Sequence, residues 1–529
     1  MLSRKDLFHL YAGWGLIAAA AVFRLLYAGS FPLVADETNY WQWGRHLDWG
    51  YHDNAPMIGW AIRLATELLG HTETAVRLPS VAAMTVASIY LMLIALRWFS
   101  PVTAFHTALL SQGILEFNVG GLLATTDGLQ AAGWAAASYH VARAFQENRW
   151  PQWLLGGFWF GFGLLSKYTM VLFLPGAFAY GLFSHRHRER LAGIRPYAGL
   201  MLGVVMFSPV IAWNIAHGWN SARHVAHLGG VDEAFQIHFK YFGEYLAGQA
   251  GLVSPLVFIL ILAAWRMAFR SPGNNAEDTW INRYLFWTSF PMFAGFALLS
   301  LHTRVYANWP GAAYLTASVM TAARFGGQVG GKSQEPPHRR FGRRLYPWAV
   351  GSAYCLTALL LIHVVTPILP VSKKIDRVAR EIAGWDVLGR KAAETLQSMP
   401  RPDRTFLFGL RYQIASELAF YTPGNPETVA INKWNRPNVY DYWKQDEELL
   451  GWDAVGASES PDDHETKLNQ VFERVEPPLE IIIHRDSPWT KDASREPAQT
   501  FYLYRAYGFK GGLRWDPPDA ADIRAGKKP

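Results

Sequence analysis

The chain has 529 residues, of which 50% are hydrophobic and 17% are charged, whereas an average soluble domain is about 25% charged. The formal net charge is +7, but the basic residues gather in short segments between apolar runs, such as residues 185–190 and 338–344. This distribution is typical of a membrane protein with several spans and argues against a nucleic-acid-binding protein. The single cysteine, Cys355, excludes an intramolecular disulfide and a cysteine-based metal site.

Apolar stretches close to the length that spans a bilayer predict transmembrane helices. An early run, residues 10–29, ends on small residues as a signal peptide does, but Arg24 interrupts it and further spans follow, so we expect a retained first helix. With the shorter runs included, we expect roughly 11–13 transmembrane helices. The clearest later runs are residues 78–96, 196–216, 252–265, 284–301 and 346–366.

The charges of the loops predict the orientation of these helices. Arg4 and Lys5 place the amino terminus in the cytoplasm, so that residues 30–75 form a first loop on the outer face. The same reasoning places Asp127 and Lys167 at the outer ends of later helices.

The composition changes after residue 370, where apolar runs shorten and charged residues become frequent. Strands are predicted at residues 405–410, 479–484 and 501–504, and a helical pattern follows the first of them. We therefore predict two domains: a transmembrane domain of residues 1–369 and a soluble extracytoplasmic α/β domain of residues 370–529.

Ionisable residues at the outer ends of apolar helices are informative because a membrane makes such positions costly. Carboxylates that take a proton and cations that hold phosphate oxygens, brought to one membrane boundary, favour a site for a phosphorylated substrate. The predicted topology places six such residues on the outer face: Asp36, Glu37, Asp53, Asp127, Lys167 and Arg304.

Each of these residues also has an ordinary structural interpretation. Asp36 would cap a helix that begins at Thr38, and Asp127 would cap the helix that follows it. Lys167 would extend its ammonium to the membrane surface, and Arg304 would pair with a lipid headgroup.

Other site types find little support in the sequence. His46 and His52 are better explained as interfacial polar residues than as metal ligands, because no spacing such as HExxH accompanies them. The sequence has no GxSxG or GxGxxG motif, and its match to GxxxxGK[ST], GGQVGGKS at residues 326–333, lies in a basic loop between apolar runs rather than after a predicted strand, so neither ATP-driven transport nor a covalent serine mechanism is indicated. An activated sugar donor used on the outer face would have to be carried by a lipid.

Several segments, in order along the chain, resemble glycosyltransferases of the GT-C class that use polyprenyl-phosphate sugars. The similarity is greatest to the bacterial glycosyltransferase family 39 group, which contains the galacturonosyltransferases of lipopolysaccharide core and lipid A and is related to the aminoarabinose transferases. The segments are DETNYW (36–41), GYHDNAPM (50–57), Thr126-Asp127, LSKY (165–168), YANWP (306–310) and, in the outer domain, RYQIASELAFY (411–421).

The resemblance implies an inverting transfer in one displacement step, with Asp36 as the catalytic base. Asp127 and Glu37 would assist it, and Lys167 and Arg304 would stabilise the departing phosphate. The remaining substrate-binding residues would be His52, Asp53, Asn54 and Tyr306. Asn54-Ala55 departs from the family, which more often has His-Pro or Lys-Pro at this position.

The resemblance also implies the setting of the reaction. The protein would be a multi-pass protein of the bacterial inner membrane, with its active site and carboxyl-terminal domain on the periplasmic side. The acceptor would be lipid A or lipopolysaccharide core, with protein O-glycosylation and, less favoured, transport of a lipid-linked saccharide as alternatives. No metal ligand is assigned, and the possibility that Asp36, Glu37 and Asp127 bind a divalent cation is left open.

Overall fold

The computed structural model describes residues 3–232, 234, 236–270, 279–326, 337–369, 371, 376–485 and 497–514. Its residues form two compact units. The membrane unit comprises Met1–Ala28, Asn54–Ile58 and Arg77–Leu360. The sheet unit comprises Gly29–Asp53, Gly59–Val76 and Leu361–Pro529.

Helices make up most of the chain before residue 366. In chain order they are α1 (Arg4–Tyr27), α2 (Ala35–Arg45), α3 (Met57–Leu69), α4 (Glu73–Trp98), α5 (Pro101–Gly113), α6 (Leu115–Leu122), α7 (Thr126–Glu147), α8 (Trp150–Ser166), α9 (Phe173–Phe183), α10 (Ile194–Ala216), α11 (Asn220–Leu228), α12 (Phe239–Val253), α13 (Pro255–Arg270), α14 (Thr279–Trp287), α15 (Phe290–Leu299), α16 (Ala313–Thr321) and α17 (Pro337–Val365).

Four of these helices are long and apolar enough to cross a membrane within the described ranges: α1, α4, α10 and α17. Helices α12 and α13 pass the same test together but meet at an angle of 105°. Pro255, which lacks the amide hydrogen needed to continue α12, explains the break after Ser254. The predicted polytopic α-helical fold is confirmed, while the count of 11–13 spans stays a prediction because many apolar helices are short.

Polar atoms inside the membrane unit are paired across helices. The Trp134 indole donates to the Thr288 carbonyl at 3.1 Å, and the Tyr284 hydroxyl donates to the Ser138 carbonyl at 2.9 Å. The first bond ties α7 to the break between α14 and α15, and the second ties α7 to α14 itself. Because no water is available there, such bonds hold the backbone groups of a broken helix that would otherwise be costly to bury.

Glycines allow α7, α8 and α10 to pack closely. A Cβ atom on Gly157 of α8 would collide with the Gly199 carbonyl of α10, and one on Gly133 of α7 would collide with the backbone of Gly163. Small residues at such contacts let helix backbones approach and gain dispersion energy in a membrane, where the hydrophobic effect between helices is weak.

The sheet unit contains six strands: β1 (Thr405–Gly409), β2 (Thr428–Ala430), β3 (Asp453–Ser458), β4 (Phe472–Val475), β5 (Leu479–Ile483) and β6 (Gln499–Phe509). Their order is β2-β1-β3-β6-β4, and β5 also pairs with β6. The contacts of β1 with β2 and β3 are parallel, whereas β6 runs antiparallel to its partners. The predicted strands therefore lie in β1, β5 and β6, and the predicted α/β domain is confirmed.

Alternating side chains give this sheet two apolar faces. Leu407 and Phe501 face helices α19 (Trp385–Gln397) and α20 (Tyr412–Tyr421), whereas Phe406 and Phe408 pack with Phe472 in a second core. The unit also contains helices α18 (Arg377–Ile382) and α21 (Asn469–Val471).

Helix α2 of the first loop packs on α20 within the sheet unit. The Leu33 amide donates to the Tyr421 hydroxyl at 2.6 Å, and the Gln42 amide group donates to the Tyr440 hydroxyl at 3.1 Å. The Arg45 guanidinium pairs with Glu427 at 2.5 Å. The first loop thus has its partners in the carboxyl-terminal part of the chain. The domain boundary at residue 370 stays a prediction.

The close packing of α8 on α10 predicts that Gly157→Ala lowers the thermal midpoint of the purified protein, because the added methyl forces the helices apart. Gly15→Ala is the matched control, since a Cβ at that helical position meets nothing within 4 Å. Fluorescence-monitored melting of both variants in one detergent tests this. Equal midpoints would contradict the packing argument.

Candidate active site

Helix α2 begins at Ala35, and this start fixes the roles of the two adjacent acids. The Val34 amide donates to the Glu37 carboxylate at 3.0 Å, so Glu37, which is buried, caps the helix. The expectation that the helix begins at Thr38 with Asp36 as its cap is therefore wrong. Asp36 lies in the first turn, and solvent reaches its side chain although protein atoms crowd around the carboxylate.

Asp36 belongs to a group of charges within the sheet unit, called here the acid cluster: Asp36, Asp53 and Glu381 with the cation Arg436. Arg436 donates to the Asp53 carboxylate at 3.0 Å, and its guanidinium lies 5.7 Å from the ring centre of Tyr412. Desolvation, with smaller contributions from Glu381 and Asp53, raises the pKa of Asp36 to about 6, and Arg436 opposes this shift.

The histidines of the first loop find partners in the carboxyl-terminal region. His46 lies 3.2 Å from Glu427 and stacks on Trp443 with ring centres 4.3 Å apart. His52 is buried, with its Nδ1 atom 3.4 Å from the Tyr442 hydroxyl. Burial lowers the pKa of His52, although Asp53 opposes the shift.

In the membrane unit, Lys167 and Asp127 form an ion pair with 2.6 Å between Nζ and Oδ1. Lys167 ends α8 in an extended conformation, and Asp127 lies in the first turn of α7. Their side chains are only 10% and 19% exposed. The ion pair with the half-buried Asp127 accounts for the position of the Lys167 ammonium without a membrane-surface role.

Two further residues reach this pair. The Asn308 amide nitrogen lies 3.3 and 3.4 Å from the two oxygens of the Asp127 carboxylate. Its position is supported by Gln249, which donates to the neighbouring Ala307 carbonyl at 2.8 Å. Glu116 of α6 is buried and interacts electrostatically with Asp127 and Lys167.

Sequence reasoning missed both of these residues, although signals existed. Asn308 is the third residue of the YANWP segment, of which only Tyr306 was selected. Glu116 is a lone acid in an apolar run, which membrane cost alone marks as unusual. Gly311 makes room for it, because a Cβ at that position would collide with the Glu116 carboxylate.

Other predicted site residues lie elsewhere in the membrane unit. Arg304 is 75% exposed, and its guanidinium lies 3.7 Å from Glu244. Tyr306 is exposed and packs its ring 5.5 Å from that of Trp309. Asn54 lies in the segment Asn54–Ile58. The substrate-binding roles of these three residues stay predictions.

An apolar groove lies beside Tyr168, the residue that follows Lys167. Two cavities, of about 490 and 410 Å³, form it, and both are lined by Phe160, Val171 and Leu200. Tyr168 lines the second cavity, and its hydroxyl lies 2.8 Å from Ser221. Helices α8, α9 and α10 provide most of the walls, which are almost entirely apolar side chains.

The predicted acids do not assemble a ligand set for a metal within either unit. Glu37 accepts the Val34 amide, and Asp127 is bound by Lys167 and Asn308. Asp36 and Glu37 lie in the sheet unit, whereas Asp127 lies in the membrane unit. Metal dependence therefore gains no support from these contacts, and the question stays open.

The chain has the fold of the GT-C glycosyltransferases. The crystal structure of ArnT from Cupriavidus metallidurans in the apo state matches with a TM-score of 0.62 at 15% identity, covering 93% of this chain and 98% of that one. ArnT bound to undecaprenyl phosphate matches with a TM-score of 0.61 at 14% identity over the same shares. The archaeal oligosaccharyltransferase AglB from Archaeoglobus fulgidus, in complex with an inhibitory peptide and a dolichol-phosphate, has a TM-score of 0.52 at 11% identity, covering 84% of this chain and 69% of that one.

Sequence comparisons give relatives of the same class. A family model described as dolichyl-phosphate-mannose-protein mannosyltransferase matches residues 53–213. The lipid A galacturonosyltransferase RgtD of Rhizobium johnstonii (strain DSM 114642 / LMG 32736 / 3841) is 27% identical over 287 residues. That match spans 54% of this chain and 59% of the relative, less than two thirds of its length. The predicted resemblance to GT-C glycosyltransferases is confirmed by these matches.

The ion pair predicts a non-additive effect on stability. Lys167→Met and Asp127→Asn should each lower the free energy of unfolding by about 1–3 kcal/mol, because each leaves a buried polar partner uncompensated. The double variant should cost less than the sum of the two, since it removes both charges. Melting curves of the four proteins measure the coupling, and strictly additive losses would show that the pair contributes no interaction energy.

Proposed function

We propose that this protein is an inverting membrane glycosyltransferase that transfers a sugar from a polyprenyl-phosphate donor to a glycolipid acceptor, lipid A or lipopolysaccharide core. The reaction would take place on the periplasmic face of the bacterial inner membrane. The observation that carries the proposal is a buried lysine, Lys167, directly followed in the chain by Tyr168, which lines an apolar groove. A lipid phosphate requires this combination, because its phosphate needs a cation and its chain needs an apolar wall.

The groove accounts for the donor's lipid part. Its two cavities share lining residues and are walled by α8, α9 and α10, so that an extended hydrocarbon chain has continuous apolar contact. Lys167 lies immediately before Tyr168 in the chain, at the break that ends α8. Its ammonium would bind the phosphate oxygens, with Asp127 holding it in position.

The acid cluster accounts for activation of the acceptor. A carboxylate with a pKa of about 6 is mostly ionised at neutral pH and is a stronger base than an ordinary aspartate. Asp36 would take the proton of the acceptor hydroxyl, and Glu37 would fix its place by capping α2. Asp53, a member of the cluster, and His52, which precedes it in the chain, would line the substrate site.

The proposed step balances without a further reactant. The acceptor oxygen forms a bond to the anomeric carbon, and its proton passes to Asp36. The bond between the anomeric carbon and the phosphate oxygen breaks, and the polyprenyl phosphate leaves as an anion that Lys167 stabilises. Attack opposite the leaving group inverts the anomeric centre, by the geometry that distinguishes inverting from retaining enzymes.

The relative named above favours a glycolipid acceptor over the alternatives. That relative is a lipid A galacturonosyltransferase, whereas the family model alone would also fit O-glycosylation of protein. A transporter of lipid-linked saccharides would need charged groups along both halves of its path, often in repeated halves. The predicted acids and cations instead belong to segments assigned to the outer face.

Replacement of the base tests the proposal most directly. In vesicles supplied with polyprenyl-phosphate galacturonate or aminoarabinose and with lipid A, Asp36→Asn should lower the rate of transfer about 100- to 10,000-fold. Asp48→Asn is the matched control, since Asp48 is an exposed acid of the same loop outside the acid cluster. Transfer by Asp36→Asn at the wild-type rate would remove Asp36 from the mechanism.

The proposal also predicts the pH dependence of the reaction. The base works only when ionised, so kcat/KM should rise with pH, pass half of its maximum near pH 6 and then level off. An initial-rate series between pH 4.5 and pH 8, roughly spanning this titration, measures it. A profile that stays flat through this range would contradict a base with the raised pKa of Asp36.

A further inference from the structure

Arg436 is held by a hydrogen-bonded turn between β2 and a 3-10 turn at Val439–Tyr442. The Asn432 side chain donates to the Arg436 carbonyl at 2.9 Å and to the Asp441 carboxylate at 2.9 Å. Asp441 in turn accepts the Asn438 amide at 3.1 Å. Since Asn432 is fully buried, the turn has few alternative conformations and presents its arginine in a fixed place.

The side chain of Arg436 reaches from this turn to the first loop. It donates to Asp53 at 3.0 Å and lies beside the ring of Tyr412, the first residue of α20. Half of its surface is exposed, whereas that of Asp53 is 14% exposed. The pair therefore restrains the carboxylate more than it immobilises the arginine.

Negative charge prevails around Asp36 within the sheet unit. The charged groups that act on it are Glu381 of α18, Asp53 and Glu37 of the first loop, and Arg436. Three of these four are acids, and each makes ionisation of Asp36 harder. The positive charge of Arg436 opposes these acids and favours the ionised form of Asp36.

We propose that Arg436 is a positioning residue of the active site, which restrains Asp53 and supplies the positive charge that keeps Asp36 ionised. This role rests on the proposed function, because it serves Asp36 as the base. It extends the catalytic machinery to a turn of the carboxyl-terminal region that no sequence motif marks. It also differs from a role in phosphate binding, which would affect the donor rather than the base.

The test is the titration of Asp36 in the full-length protein, measured by NMR of ¹³Cγ-labelled aspartate and assigned by the signal lost in Asp36→Asn. Arg436→Gln should raise the midpoint by roughly half a pH unit or more, because an attractive charge is removed. Arg436→Lys keeps the charge and should leave the midpoint close to that of the wild type. Asp53→Asn and Glu381→Gln should lower it, because each removes a repelling charge.

The pH at which kcat/KM reaches half of its maximum should change among the variants in the same order as the titration midpoint of Asp36. An unchanged midpoint in Arg436→Gln, or equal shifts in Arg436→Gln and Arg436→Lys, would overturn the proposal. So would a higher KM for the donor with no shift in midpoint, which would make Arg436 a substrate ligand. If Arg436→Gln does not fold, Arg436→Lys and Glu381→Gln still decide the matter.

The two proposals fail in distinguishable ways. If the wild-type protein transfers no sugar but the titration shifts as expected, the proposed function fails and the electrostatic role of Arg436 stands. If the wild-type protein transfers sugar and the midpoints do not move, the role of Arg436 fails alone. Asp48→Asn should leave the titration of Asp36 unchanged and serves as the control for nonspecific charge effects.

Discussion

A charge removed from water must be matched, and this requirement is met by an ion pair in each of the two units. Lys167 is held at 2.6 Å by Asp127, which begins a different helix. Asp53 is held at 3.0 Å by Arg436, which lies far along the chain. In each pair the residue assigned a role in the reaction is held by an oppositely charged partner that is distant in the sequence and that the fold brings close.

The same requirement explains why the first loop and the carboxyl-terminal region form one compact unit. Helix α2 is too short to be stable alone, and it buries Trp41 and Trp43. Tyr421 and Tyr440 receive its polar contacts, and Glu427 pairs with Arg45. Because α2 carries Asp36 and Glu37, its docking on α20 turns a loop with two acids into a fixed arrangement.

Local patterns in the sequence were sufficient for the helical fold, for the strands β1, β5 and β6, and for Asp36 and Lys167 as unusual charges. They failed wherever a role depends on a distant partner. Capping by Asp36, the structural alternative considered for it, is instead performed by Glu37, because the helix begins earlier than the pattern indicated and helix ends are the least reliable part of a pattern. Glu116, Asn308 and Arg436 were missed because their surroundings come from residues far away in the chain.

The acid cluster changes the interpretation of Asn54-Ala55, the dipeptide at which this sequence departs from the family it resembles. In the sequence, the first loop has Asn54-Ala55 directly after Asp53, where the aminoarabinose transferases that it resembles carry a lysine. In the structure, Asp53 is nevertheless paired with a cation, because Arg436 of the carboxyl-terminal region binds its carboxylate. A guanidinium held by a buried turn is less mobile than a lysine on a loop, and it can hold a carboxylate in a defined direction. Because this cation comes from a segment distant in the sequence, the charges around Asp36 have to be identified from the fold rather than from the first loop alone.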